Sequence, residues 1–128
     1  MLVSAFIADG PPSRLIEEAV AGRIALVLPD IVLEELLRVL RAKLGFGEER
    51  LAGVEGFLVG LATERLTRAA QAHAVTGDPA DDEILATAVA ARVDVIATGD
   101  RRHLLPVGER CGVRLLTPQA LLAELRRR

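Results

Sequence analysis

The chain is poor in cysteine, with Cys111 as its only one. That excludes an intrachain disulfide and a zinc cluster built on cysteines, and a lone thiol suits a reducing compartment. Any metal site is therefore expected to use oxygen ligands. Long apolar runs are lacking too. None reaches the roughly 20 residues needed to cross a bilayer, and the stretch from Leu2 to Ala8 has neither a basic leader nor a small-residue cleavage site. The expected location is cytoplasmic, with no membrane partner. Lysine is almost absent: of 16 basic residues only Lys43 is a lysine, the rest being arginines. Arginine favours forked contacts to phosphate or carboxylate, although a GC-rich coding sequence produces the same bias. A net charge of −2 does not by itself argue for nucleic-acid binding. A phosphoacceptor receiver domain needs a lysine at a strand end, whereas Lys43 falls late in a helix. Gly45-Phe46-Gly47 lacks the third glycine of a dinucleotide fingerprint, and Lys43 is followed by leucine, so neither phosphate-cradling loop is present.

What is present suits one domain. With 128 residues, 51% of them hydrophobic, the chain can bury one core but not two comfortable ones. Pro11, Pro12 and Ser13 open a helix that runs to Ala21. Ile24 to Leu28 reads as a short apolar strand. Helices follow from Pro29-Asp30 to about Lys43 and from Glu48 to Ala62, with an edge strand at Arg65 to Thr67 and loop from Ala69 to Gly77. A helix from Pro79 to Ala91, a strand from Asp94 to Thr98, a loop, a strand from Val113 to Leu116 and a helix from Pro118 to Arg126 complete the pattern. Continuous apolar strands alternating with helices predict an α/β fold, a parallel sheet covered on both faces.

Within that frame Asp100 stands out, because it ends the run Val93 to Gly99 and so lies at the carboxyl end of a buried strand, where ligands bind in open α/β sheets. Its alternative role is a turn or cap residue for a short helix from Arg101 to Leu105. Asp78-Pro79 reads as an N-cap followed by proline at the first helical position. Asp81 and Asp82 then fall in the first turn, which the helix dipole also favours, and both lie at the inward edge of the apolar stripe. Glu83 faces solvent. Glu35 has Ile31, Val32, Arg38 and Val39 three and four positions away and so shares the core-facing stripe of its helix, either as a site acid or as an edge residue reaching water. Glu34 reads as a surface partner of Arg38. His73 and His103 read as ordinary surface residues, His103 being the better placed to meet phosphate.

The topology is expected to bring Glu35, Asp82 and Asp100 to one end of the domain. Two carboxylates about 4 Å apart repel by roughly 4 kcal/mol at an effective dielectric of 20, so such a cluster calls for a cation. With oxygen ligands only, Mg²⁺ or Mn²⁺ fits best, and phosphodiester hydrolysis is the matching chemistry.

The segments Leu33 to Leu40, Asp78 to Ala86, Thr98 to Leu105 and Gly112 to Pro118, taken in order and spacing, resemble the PIN-domain family, and in particular the VapC-like toxins of bacterial toxin–antitoxin systems. The resemblance implies a small three-layer domain with a parallel sheet and a Mg²⁺- or Mn²⁺-dependent ribonuclease. By motif position Glu35, Asp82 and Asp100 would be the metal-site acids, and Asp81 a substitute or outer member. Thr98, Arg101 and Arg102 would face RNA phosphates. The implied partners are RNA, an antitoxin protein and a second copy of the chain in a homodimer.

One departure stands against these matches. Family members begin with a central strand ending in Asp-x-Asn, whose aspartate is a leading metal ligand, and Met1 falls directly after the place where that motif would end. The expectation is a chain without its first strand and first acid, through a wrongly assigned start codon rather than a decayed gene. Asp9 lies in a Gly-Pro-Pro loop and is not expected to substitute. The strands at Ile24 to Leu28 and Asp94 to Thr98 would then lack a partner between them, and unpaired buried backbone is costly. Leu2 to Ala8 is expected to fill the gap as a replacement strand, or a second copy to supply one by swapping. Weak metal binding and little nuclease activity follow. The rival expectation is a non-catalytic interaction or dimerisation module on the same scaffold, with apolar stretches such as Phe57-Leu58-Val59 at its interface.

Overall fold

The computed structural model describes residues 3–8, 13–62, 64–66 and 72–127. A strand β1 (Val3–Ile7) leads through α1 (Ser13–Val20) to β2 (Ile24–Pro29), followed by the helices α2 (Asp30–Leu44) and α3 (Glu48–Leu61) and the short strand β3 (Glu64–Leu66). Helix α4 (Pro79–Ala91) then leads to β4 (Val95–Ala97), and β5 (Glu109–Arg110), β6 (Val113–Leu116) and α5 (Pro118–Arg126) close the described fold. The sheet order is β3-β2-β1-β4-β6-β5, parallel throughout except for the β5–β6 pair.

The place between β2 and β4 is held by Val3–Ile7 of the same chain, Ala5 lying opposite Leu26 on one side and Val95 on the other. Every β1 residue but Ser4 is buried, as a strand covered on both faces requires. Alternation sends Phe6 and Ala8 to one face with Leu85, Ala88 and Ile96, and Val3, Ala5 and Ile7 to the other with Leu15, Leu26 and Leu121. Helix α4 thus covers one side of β1, and α1 with α5 covers the other. A third cluster of Leu28, Val32, Leu33 and Leu58 seats α2 and α3. Ser4 has a specific use: its N–H donates to Asp94 Oδ2 at 2.8 Å and its hydroxyl accepts from the Asp94 N–H at 2.9 Å. This clasp sets the register of β1 against β4 at their amino ends.

The helix ends follow the expected chemistry. Asp78 caps α4 by accepting from the Ala80 N–H at 2.9 Å, and Thr117 caps α5 through the Ala120 N–H at 3.1 Å. Strand β5 was expected as loop. It consists of two exposed residues, too short to register as a pattern, and is joined to β6 by Cys111 and Gly112, both at positive φ (52° and 86°), as a type I′ hairpin turn demands. Among the described residues no helix is long and apolar enough to cross a membrane. Asp9 and Thr67, part of the expected edge strand, lie outside the described residues.

Candidate metal centre

From β1 the chain moves to β2 on one side, while β4 lies on the other, so the strand order reverses between β1 and β4. At such a switch point the carboxyl ends of the strands open a crevice. Here it is a cleft of about 420 Å³, lined by Ala8 just after β1, by Asp78, the cap of α4, and Asp81 in its first turn, and by Thr98, Asp100, Arg102 and His103 after β4.

The segment after β4 folds around the Asp100 carboxylate. Thr98 Oγ1, 1% exposed as a residue, accepts from the Asp100 N–H at 3.0 Å. Asp100 Oδ1 in turn accepts from the Arg102 N–H at 3.1 Å, and Oδ2 from the Leu104 N–H at 3.0 Å. Burial acts to raise the Asp100 pKa, but the N–H groups of Arg102, Leu104 and His103 outweigh it and hold the carboxyl below its ordinary value. The turn role and the site role of Asp100 are therefore compatible: the cap fixes the side chain and keeps it ionised.

Asp81 behaves in the opposite sense. Burial first, then the charges of Asp100 and Asp78, push its carboxyl above the ordinary value, and a hydrogen bond with Asp100 adds to the rise. Two neighbouring carboxyls are thus shifted in opposite senses, Asp81 upward chiefly by burial and Asp100 downward by the N–H groups that it accepts from. His103 lies among them. Its Nδ1 is 3.5 Å from Asp81 Oδ2, 3.9 Å from Asp100 Oδ2 and 4.0 Å from Asp78 Oδ2. The ligand atoms of Asp78, Asp81 and His103 all lie within 4.8 Å of one another, close enough to share one ion.

The structure does not bring all the expected residues to this cleft. Asp82 is buried, 9% exposed, but Oδ1 accepts from the Val75 N–H at 3.0 Å, the Thr76 N–H at 2.7 Å and the Thr76 hydroxyl at 2.8 Å. These bonds, led by the Thr76 N–H, hold its pKa below the ordinary value against the effect of burial. Glu35 is at the exposed edge of α2, its side chain 60% exposed and paired with Arg38, and the Arg38 hydrogen bond lowers its pKa. The partner of Arg38 is thus Glu35 and not the expected Glu34, because the three-residue spacing places both groups on one exposed face. Arg101 is exposed, and only Arg102 of the two arginines lines the cleft.

His103 was expected at the surface and the metal donors were expected to be oxygens alone. The three-residue step from Asp100 through a tight turn is what swings the ring back over the acids, and a lone histidine beside two arginines carries no periodic signal of that turn. The one hint is its spacing from Asp100.

The Asp82 contacts predict a pH effect. A carboxyl with a lowered folded-state pKa contributes stability that is complete above its unfolded value and is lost as pH falls through the folded value. Asp82→Asn should therefore lower the melting temperature by several degrees at neutral pH and flatten the acid limb of the melting-temperature profile. Profiles of the two proteins that stay parallel from neutral pH into the acid range would show that Asp82 does not hold the 75–76 segment.

A family model for the PIN domain matches residues 1–102. No curated protein and no solved structure matches the chain.

Proposed function

Because the chain belongs to the PIN-domain family, we infer that the cleft between β1 and β4 is a divalent-metal centre of nuclease type, hydrolysing RNA phosphodiesters with Mg²⁺ or Mn²⁺. The observation that carries this is the meeting of Asp81 and Asp100, with Asp78 and His103, at the carboxyl ends of parallel strands. The donor set fits such an ion: carboxylate oxygens suit hard cations and one imidazole is compatible with Mn²⁺. When bound, the ion would supply an activated water and stabilise the leaving oxygen.

The residues of the chain divide the remaining work. Asp100, kept ionised by backbone N–H groups, offers a fixed negative ligand. Asp81, close to Asp78 and His103, offers a second carboxylate beside it. Arg102 at the rim offers a forked donor to an RNA phosphate, while Thr98 holds the Asp100 backbone. Asp82 supports the loop that precedes α4. Glu35 would join only by exchanging Arg38 for the ion. The resemblance calls for an acid at the end of the central strand, where β1 presents Ala8.

The finer assignment is a VapC-like toxin acting as a homodimer and held by an antitoxin protein. A non-catalytic interaction module is the second reading, favoured by an open apolar groove lined by Ile16, Leu36, Phe46, Val54 and Phe57, with Phe57 54% exposed. Incubation with single-stranded RNA separates the two. Slow cleavage that needs Mn²⁺ or Mg²⁺ and stops with chelator is the expected result; intact RNA together with no heat of Mn²⁺ binding would leave the interaction module.

A further inference from the structure

We propose that His103 is a direct nitrogen ligand of the metal centre and that this imidazole makes the site discriminate in favour of Mn²⁺ over Mg²⁺. The inference rests on the metal-centre reading above and adds a ligand and a selectivity to it.

The geometry around Nδ1 is the first ground. Its distances to the three carboxylate oxygens, 3.5, 3.9 and 4.0 Å, exceed the 2.7–2.9 Å of a charge-assisted hydrogen bond, so the ring makes no short hydrogen bond to any of them. They fall within the spread of donor atoms that could share one ion, the ligand atoms of Asp78, Asp81 and His103 all lying within 4.8 Å of one another. The nitrogen turned toward the acids is Nδ1, and His103 lines the cleft with Asp78, Asp81 and Asp100. On the Cδ2 side of the ring lies Gly77, where an added Cβ would come to 3.9 Å, ordinary contact distance.

Ligand chemistry is the second ground. Carboxylates, carbonyls and water suit Mg²⁺ and Mn²⁺ alike, but Mn²⁺ is a first-row transition ion and takes an imidazole nitrogen more readily than Mg²⁺ does. Mg²⁺ would use Asp81 and Asp100 and fill the remaining positions with water. Mn²⁺ can take the nitrogen as well, and the site gains affinity for it alone.

Calorimetric titration with MnCl₂ and MgCl₂, and pulsed electron paramagnetic resonance of the Mn²⁺ complex, test the proposal on the wild-type chain and on His103→Gln. The expected results are at least tenfold tighter binding of Mn²⁺ than of Mg²⁺ and a ¹⁴N coupling of directly bound imidazole. In His103→Gln that coupling should vanish, Mn²⁺ affinity should fall at least tenfold, and Mg²⁺ affinity should stay within about threefold. Mn²⁺ bound at the acids without an imidazole ¹⁴N coupling would overturn the role of His103 and leave the metal centre standing. No binding of either ion would overturn both.

Discussion

Asp100→Asn is expected to remove Mn²⁺ binding, by at least about 100-fold, and any metal-dependent RNA cleavage with it. Loss of a partner outside the ligand shell commonly costs 10–100-fold in metal affinity, and Asp100 is the acid most firmly fixed at the cleft and the one held ionised. Asparagine keeps the size of the side chain and one oxygen acceptor, so the turn through Leu104 loses about one hydrogen bond, worth roughly 0.5–1.5 kcal/mol. A second effect works the other way. The Asp81 carboxyl is raised in part by Asp100; a group whose folded pKa is raised in this sense weakens the fold as pH climbs past the unfolded value. Removing the Asp100 charge relieves that penalty, so the variant should melt close to the wild type at neutral pH. Binding loss without unfolding is the expected combination, read by calorimetry and thermal melting together. Glu35→Gln is the internal comparison, with Mn²⁺ affinity changed less than threefold because its carboxylate is engaged with Arg38 at the surface. An Asp100→Asn protein that binds Mn²⁺ as the wild type does would remove the site as described.

Phe6→Ala is expected to cost about 3–5 kcal/mol. Phe6 is fully buried and packs in the cluster that joins β1 to α4 through Leu85, Ala88 and Ile96, so truncation leaves a cavity bounded by a sheet on one side and a helix on the other. Whole domains of this size are stable by about 5–15 kcal/mol. The loss therefore consumes a large share of the total, with a fall in melting temperature on the order of 10–20 °C. Urea unfolding measures it directly. A cost below about 1 kcal/mol would mean that Val3–Ile7 does not occupy the middle of the sheet.

Most of the architecture was legible in the sequence because it rests on periodicity and punctuation. The α4–β4 unit is an example. Asp78-Pro79 starts the helix, an apolar run makes the strand, and Gly99 ends it, each by a local mechanism that the fold leaves intact. The site was legible only down to the end of the sheet. Asp81 and Asp82 are adjacent in an α-helix and so point about 100° apart, enough to send one to Asp100 and the other to Thr76. Which goes where depends on the path of residues 75–77, a loop whose course no hydrophobic pattern encodes. Glu35 illustrates the same limit: its position on the stripe of α2 was readable, but the edge of that stripe is set by how α3 covers α2. His103 depended on a turn whose geometry is dictated by the very carboxylate it approaches.

The clasp between Ser4 and Asp94 joins residues 90 apart in the chain. A strand that completes both faces of the core must therefore wait for a neighbour that distant before its ladder closes, and loop closure over such a span is an entropic cost met before any pairing rewards it. Folding of this domain is consequently governed by a non-local step. Until it occurs, the edge of β1 that β4 will cover is available for mispairing with other chains.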